Sequence, residues 1–493
     1  MSDAAALGLF AALLLAAVAA GEGLRALAGW RPESSRRAVH AGVGLATAAC
    51  PPLFSEPTYI YGLALAFLAF NLVAARRRWL PGIHGTRRRT WGTVTFPLAL
   101  VVALALCWSL DAGRVWVLQT AFAVLALADP AASLVGTRLR RPGRFVVAGA
   151  PKSVAGSAAF AVVAGAVTAV MTAWLGPASF GGLQVAAAAL VVAGVGAAAE
   201  ALGRAGWDNL LVVLAVVVPL AHLDGQPDAA GAHLLALALA AAFGAASYRA
   251  HFLDLSGTLA ALVLAWMVVA LGGAAWAVPA VAFFVLSSLL SRAGRARKAE
   301  AEARAQKGSR RDAGQVAANG GVGAALLAAS VFVPEPALYW GFVGSFAAAA
   351  ADTWGTEIGT LAGGPTRRLA VGPRVPPGTS GGVSLAGTAG AGAGALVVAG
   401  LAVPFAGPYA LAGSVVGPAA GAAVAGVAAA FLDTALGATV QARYRASGGA
   451  LTERDREAGR PLPLEAGLRW VDNDRVNLAC TLAGGLLPLL LLR

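Results

Sequence analysis

Apolar runs of roughly 17–25 residues recur from one end of the chain to the other, each long enough to cross about 30 Å of hydrocarbon as a helix. Inside a bilayer only helices and closed barrels satisfy every backbone hydrogen bond. A barrel would read as alternating segments of about ten residues, and no such segments are legible. The chain of 493 residues is 58% hydrophobic and 12% charged, about half the charge of a soluble protein. These features predict an all-α, polytopic helical membrane protein. Segmentation gives about sixteen spans.

The connections differ in charge. Segments 31–37, 76–89, 138–152, 200–208, 249–254, 292–312, 367–374 and 443–475 carry the charged residues, and the opposite ends are short turns such as CPPLFSEP and VPFAGP. By the positive-inside rule the charged loops face the cytoplasm and the N-terminus lies outside. The alternation requires residues 409–440 to cross once. The net charge of +13 is thereby explained by membrane orientation, with no nucleic-acid partner implied. A bacterial inner membrane is the expected location. Cys50, Cys107 and Cys480 are far apart and form neither a disulfide framework nor a CxxC metal motif.

The chain reads as doubled. HGTRRRTWGTV (84–94) parallels QKGSRRDAGQV (306–316), ADPAASLVG (128–136) parallels ADTWGTEIG (351–359), and EALGRAGWDNL (200–210) parallels EAGLRWVDNDRVNL (465–478). In order, these pairs occupy the fourth, fifth and eighth spans of two eight-span halves, the pattern of a parallel internal repeat. The expected domains are residues 1–225 and 230–493.

Ionisable residues within spans cost roughly 2.5–3.5 kcal/mol or more, so function is their default explanation. Asp129 precedes Pro130, a helix N-cap followed by proline at the first position. That pattern predicts a break in the fifth span with free N–H groups aimed at a phosphate. Ser133 shares a helical face with Asp129, and Thr356 repeats that spacing from Asp352, with Glu357 adjacent. Acids and hydroxyls on one face suit Mg²⁺, which takes oxygen ligands together with phosphates. The alternative for Asp129 is simple capping. For Asp352 and Glu357 a structural role would need a basic partner within the spans, and none is evident in the sequence.

Each acid is followed by a basic loop and a small-residue turn. After Asp129 come Arg138–Arg144 and then PKSVAGS, with Lys152, Ser153, Gly156 and Ser157; after Asp352 come Arg367, Arg368 and Arg374, then PPGTSGGVS, with Gly378, Thr379, Ser380 and Gly381. Such turns let amides, hydroxyls and basic side chains approach phosphate oxygens, although each could be only a turn. Neither fits the GxxxxGK[ST] pattern. Other polar groups open spans on the same face. Arg37, Arg89 and Arg311 either set orientation or hold phosphate. His40, Asp208, Asn209, Asn319, Asp472, Asn473 and Asn477 are further site candidates, since carboxamides within spans need partners. TAGAGAGALVVAG (388–400) reads as close helix packing.

RRAVHAGVGL, GTVTFPLAL, ADPAASLVGTRL, PKSVAGS and WDNLLVVL, within about residues 36–215, resemble the phytol kinase and dolichol kinase group of CTP-dependent polyprenol kinases. Ala128 and Pro130 depart from that group's G-D-x-x-A pattern, whereas Lys152, Ser153, Gly156 and Ser157 match its K-S-x-x-G-S motif. LDLSGTLAALV, AFFVLSSLLSR, RRDAGQVAANGG, ADTWGTEIG, VPPGTSGGVSL, LGATVQARY and WVDNDRVNLACTL, from about residue 253 onward, resemble a membrane family that includes the plastid phytyl-phosphate kinase. Here Ala351 replaces the usual glycine of G-D-T-W-A-S-E-I-G.

Together the resemblances imply two consecutive kinases: an isoprenoid alcohol such as phytol or geranylgeraniol becomes a monophosphate and then a diphosphate. They imply CTP as donor, Mg²⁺ as metal, and Asp129, Asp352 and Glu357 as the acids serving it. The alternatives are a CTP-dependent nucleotidyltransferase making a CDP-activated lipid, and a two-repeat transporter. Oligomeric state is not legible.

Overall fold

The two helices that carry the intraspan acids are apolar on nearly every side, and each lies at the centre of its own bundle. The computed structural model of the chain describes residues 1–77, 90–141, 143–294 and 310–491. Sixteen α-helices are seen among these residues. They are α1 (Asp3–Leu27), α2 (Pro32–Ala49), α3 (Thr58–Arg77), α4 (Gly92–Leu104), α5 (Val115–Arg138), α6 (Val154–Leu175), α7 (Gly182–Leu202) and α8 (Asp208–Gly225). There follow α9 (Ala230–Arg249), α10 (Leu255–Ala270), α11 (Gly273–Arg292), α12 (Ala313–Ser330), α13 (Pro336–Ala362), α14 (Leu385–Ala402), α15 (Val416–Thr439) and α16 (Asn473–Leu491).

Eleven of the described helical segments are long and apolar enough to cross a membrane, and α3 and α10 add shorter apolar stretches. The protein is a polytopic helical membrane protein. The helices outside these sets, α2, α12 and α13, hold His40, Asn319 and Asp352. Residues 409–440 hold one helix, α15, long and apolar enough to cross a membrane, preceded by a 3₁₀ turn (Gly407–Tyr409).

The chain separates into two compact units, Met1–Ala238 and Leu239–Arg493, with the division inside α9. In the first, α5 packs on α2, α6 and α8, and α7 joins α6 to α8. In the second, α13 packs on α11, α12, α14, α15 and α16, and α15 joins α14 to α16. Among the described helices six pairings recur between the units: α4 with α5, α4 with α8, α5 with α6, α5 with α8, α6 with α7 and α7 with α8 correspond to the same pairs eight helices later. Helices buried on all sides are read as central, and residues 337–351 of α13 are buried almost without interruption.

Small residues permit that centrality. A Cβ on Gly344 would stand 2.3 Å from the Gly484 carbonyl of α16, and one on Gly394 would stand 2.8 Å from the Ala350 carbonyl of α13. The glycine stripe of 388–400 thus brings α14 against α13 at backbone distance.

Short hairpins are the main departure from an all-helical reading, and they occupy the charged loops. In the first unit β1 (Arg144–Val147) pairs antiparallel with β2 (Ala150–Ser153). In the second, β3 (Arg367–Arg368) pairs with β4 (Gly382–Val383). A cap between α15 and α16 contains β5 (Arg443–Arg445) flanked by β6 (Leu451–Thr452) and β9 (Leu464–Ala466), plus the ribbon of β7 (Arg456–Glu457) and β8 (Arg460–Pro461).

Candidate functional site

Asp129 does not cap a helix. It lies inside α5, which continues through Pro130 to Arg138, about 14 Å from the helix end. Proline removes one helical hydrogen bond, but within a packed bundle neighbouring groups compensate and the helix persists. The predicted break and its free amides are therefore absent. The carboxylate instead faces α2, where His40 Nε2 stands 3.8 Å from Asp129 Oδ2 and 3.3 Å from the Leu125 carbonyl. One turn on, Ser133 Oγ accepts from Arg37 Nε at 2.9 Å, and Arg37 also donates to Thr137 Oγ1 at 3.2 Å. Ser133 thus meets a guanidinium where a metal was expected, and Arg37 ties α2 to α5.

The PKSVAGS segment departs further from its expected role. Lys152 lies on β2 and donates to Glu200 Oε1 at 2.6 Å and to the Glu200 carbonyl at 2.7 Å. Glu200, near the end of α7, is 7% exposed and was not among the predicted site residues. Ser153 caps α6 by accepting from the Gly156 amide at 3.1 Å. Gly156 is needed for packing, because a Cβ there would stand 2.9 Å from the Ala132 carbonyl of α5. Ser157 is half-buried in the first turn of α6.

Asp208 and Asn209 open α8. Asn209 Nδ2 donates to the Gly92 carbonyl at 3.0 Å and to Thr95 Oγ1 at 3.3 Å, fastening α8 to α4. Its amide nitrogen is thereby satisfied within the bundle. Asp208 stands near enough to Asp129, Lys152 and His40 to feel their charges, and Glu200 feels Asp129 and Asp208 in turn. The first unit therefore gathers three carboxylates, one lysine and one histidine. Arg89 lies outside the described residues.

The second unit repeats the frame with different chemistry. Ser384 caps α14 by accepting from the Gly387 amide at 3.1 Å, as Ser153 caps α6. Gly359 of α13 stands against Ser384 and Gly387 as Gly136 of α5 stands against Ser153 and Gly156. Asp352 precedes Gly359 by the same seven residues that separate Asp129 from Gly136.

Asp352 projects from inside α13, about 15 Å from the helix end, toward Asp433 of α15. The two carboxyl groups are within hydrogen-bond reach, and the charges of Glu357 and Glu453 fall on Asp352. Asp433 Oδ2 is buried and has no hydrogen-bond partner. Asp433 and Glu453 were both missed from sequence. The first is readable by the rule that singles out Asp352, an acid alone in an apolar span. The second lies in an ordinary charged loop and gives no local signal.

The basic groups of this unit take specific positions. Arg311 lies 5.5 and 5.6 Å from the Phe283 and Phe284 ring centres. Burial draws its pKa down to about 10, with the Glu357 charge working the other way. Glu357 thus has the basic neighbour that the sequence did not reveal. Arg368 and Arg443 both donate to the Ala438 carbonyl at the end of α15. Burial, then the Arg368 charge, lowers the pKa of Arg443, against the opposing pull of Glu453. Its Nε has no hydrogen-bond partner.

Other candidates are placed less directly. Ser380 donates to the Glu453 carboxylate, so the Gly/Ser turn is held by the cap. Thr379 Oγ1 donates to the Pro376 carbonyl at 2.7 Å. Gly378 and Gly381 adopt positive φ, and a Cβ on Gly381 would collide with Ala438. Arg374 and Thr356 are exposed. Asn319 Nδ2 donates to the Gln315 carbonyl of its own helix at 3.0 Å, which satisfies it locally. Asp472 caps α16, accepting from the Arg475 amide at 3.0 Å and its guanidinium at 2.8 Å. Asn473 begins that helix and Asn477 is half-buried within it.

Among the described residues no three His, Cys, Asp or Glu side chains could hold one metal ion. Mg²⁺ does not need such a cage, because it keeps waters and binds one or two carboxylates with substrate phosphates. The facing pair Asp352–Asp433 fits it. Two carboxylates this close need a proton or a cation between them, and one Asp433 oxygen is buried with no partner.

The second unit also matches known proteins. Residues 238–485 fit the model of integral membrane protein DUF92. The chain belongs to this family. The DUF92 match covers almost all of the second unit, including Asp352 and Asp433. Protein PGR of Arabidopsis thaliana is 27% identical over 253 residues, which is 47% of this chain and 86% of that protein. No solved structure matches the chain.

Proposed function

We propose that the protein phosphorylates an isoprenoid alcohol twice, the first unit making the monophosphate and the DUF92 unit the diphosphate. CTP is the phosphoryl donor, and the prenyl chain lies between spans. All sixteen helices cross the membrane, with the hairpins and cap at the cytoplasmic face of a bacterial inner membrane. The observation that carries the reading is the Asp352–Asp433 pair with its unpartnered buried oxygen, on the same frame that holds Asp129 in the first unit. The motif resemblances supply the substrates.

Phosphoryl transfer asks mainly for alignment and charge neutralisation. In the first reaction the lipid hydroxyl oxygen forms a bond to the γ-phosphorus as the bond to the bridging β–γ oxygen breaks. CDP leaves and the hydroxyl proton passes to solvent. In the second, an oxygen of the lipid monophosphate is the attacking atom. Asp352 and Asp433 would hold Mg²⁺ in the DUF92 unit, and Asp129 in the first; bound there, it would neutralise the triphosphate oxygens. Arg443 offers its Nε–H, and Arg368 beside it adds positive charge where the triphosphate would lie. Lys152 neutralises Glu200, which keeps Asp129 from standing in an uncompensated cluster of acids.

The test is the identity of the released products. Purified protein in detergent with Mg²⁺, CTP and phytol or geranylgeraniol is expected to release CDP and form lipid mono- and diphosphate. Pyrophosphate with a CDP-linked lipid would make it a nucleotidyltransferase. Proteoliposome flux without nucleotide turnover would make it a transporter.

A further inference from the structure

Backbone packing closes one side of the Asp352–Asp433 pair. A Cβ on Gly426 of α15 would stand 2.8 Å from the Ala347 carbonyl carbon of α13, and one on Gly484 of α16 would stand 2.7 Å from the Gly344 carbonyl oxygen. Ala348 and Ala429, each one turn before an acid, pack there with Cys480. Such contacts have no long side chains to swing aside, so passage through this layer would require three close-packed helices to part.

The opposite side is covered by a loop. Asp433 and Gly437 are four residues apart and share a face of α15. A helical side chain lies over the turn that precedes it, so glycine at 437 leaves the patch above Asp433 without one. The Gly/Ser turn occupies that patch. A Cβ on Gly437 would meet the Gly381 amide nitrogen at 3.4 Å and Ser380 Cβ at 3.6 Å. Gln441, four residues further on, brings its side-chain oxygen to 3.3 Å from the same point.

Side chains hold this cover in place. Ser380 donates to Glu453, which follows β6 in the cap, and Arg368 of β3 pins the hairpin base to the Ala438 carbonyl. Gly378 and Gly381 flank Ser380 with φ of +76° and +78°, and loop residues of this kind absorb the dihedral changes of hinge motion. Beneath the turn, Asp433 Oδ2 and Gln441 Nε2 are buried without hydrogen-bond partners. Unmatched buried polar atoms are rare because they cost free energy. The closed turn therefore carries two such costs, which opening relieves and the Ser380–Glu453 hydrogen bond opposes.

We propose that the Gly/Ser turn is a gate over the acid pair, latched by Ser380 to Glu453, through which a divalent cation enters from the cap side. The proposal rests on the reading of the acid pair as a cation site. The charge of Glu453 reaches Asp352 and Asp433, so an arriving cation is drawn to the latch itself. There it competes with the Ser380 hydroxyl for the carboxylate and releases the turn.

The test uses the full chain in detergent with Mn²⁺ alone as the probe, and every protein carries Asp129→Asn to keep the first unit from contributing. Ser380→Ala removes the latch and keeps Glu453. Association and dissociation of Mn²⁺ should both quicken by about tenfold, the scale of one hydrogen bond to a charged group, with Kd unchanged. Ser380→Cys/Glu453→Cys, bridged by a short bifunctional thiol reagent, should slow both rates relative to the same protein unbridged; the native cysteines are buried. A change in Kd without matched changes in rate makes Ser380 structural, and a bridged protein that exchanges Mn²⁺ as fast as the unbridged one places entry elsewhere. Either result overturns the gate. Amide hydrogen exchange in metal-free protein separates this failure from that of the cation reading. Ser380→Ala should speed exchange in residues 376–382 and 451–455 together, and unchanged exchange in either segment removes the gate. Equal Mn²⁺ binding with and without Asp433→Asn removes the cation site, and the gate is then decided by the exchange result.

Discussion

The two units place an acid at matching helices and neutralise it differently. In the first, Glu200 of α7 meets Lys152 at 2.6 Å. In the second, Asp433 of α15 meets the carboxyl group of Asp352. The residue aligned with Lys152, counting from the Ser153 and Ser384 caps, is Val383. A lysine carried by the chain completes one site, and the other requires a proton or an added cation. The shared frame is thus compatible with two different balances of charge, and the second should be the more dependent on metal.

The largest effect is expected from removing the lysine. Lys152→Met leaves Glu200 buried without its partner, and breaking a buried pair costs about 3–5 kcal/mol. The double variant Lys152→Met/Glu200→Gln should recover most of that loss, as read by thermal unfolding in detergent. If the single variant is as stable as wild type, Lys152 is not the neutralising group.

Next comes the acid pair. Asp433→Asn should lower conversion of lipid monophosphate to diphosphate at least about a hundredfold, the scale of losing one preorganised electrostatic group. The same variant should lose the upward shift in melting temperature that Mg²⁺ with CTP gives the wild-type second unit, since a ligand stabilises only the state that binds it. Measured without metal, it should melt no lower than wild type, because one of two facing carboxylates is gone. A lower metal-free melting temperature with Mg²⁺ stabilisation retained would assign Asp433 to structure.

The smallest effect tests the common frame. Gly156→Ala and Gly387→Ala each push a Cβ within 2.9 Å of a carbonyl oxygen of the neighbouring helix, Ala132 and Gly355 respectively. Each should destabilise by about 1–3 kcal/mol, the range for overpacking, and slow only the reaction of its own unit. Loss of both reactions from either substitution would show that the units do not act separately.

The order of helices was legible because apolar length is a strong signal, and the loop hairpins were not because they contain only two to four residues per strand. Asp352 was legible as an acid in an apolar helix. Asp433 carries the same signal in FLDTALG, but no paired motif marks it. Lys152 was assigned to phosphate because its partner is 48 residues away, a distance that local spacing does not encode. Asp129–Pro130 was misread for a physical reason. The pair is a good helix start in water, whereas a packed bundle carries α5 straight through it.

The most direct test of two sites acting in sequence follows lipid mono- and diphosphate from phytol or geranylgeraniol with Mg²⁺ and CTP, for wild type, Asp129→Asn and Asp352→Asn. Asp352→Asn is predicted to accumulate monophosphate, and Asp129→Asn to make diphosphate only when monophosphate is supplied. If either substitution abolishes both steps, or if neither protein nor wild type forms any lipid phosphate, the assignment of one reaction to each unit is wrong.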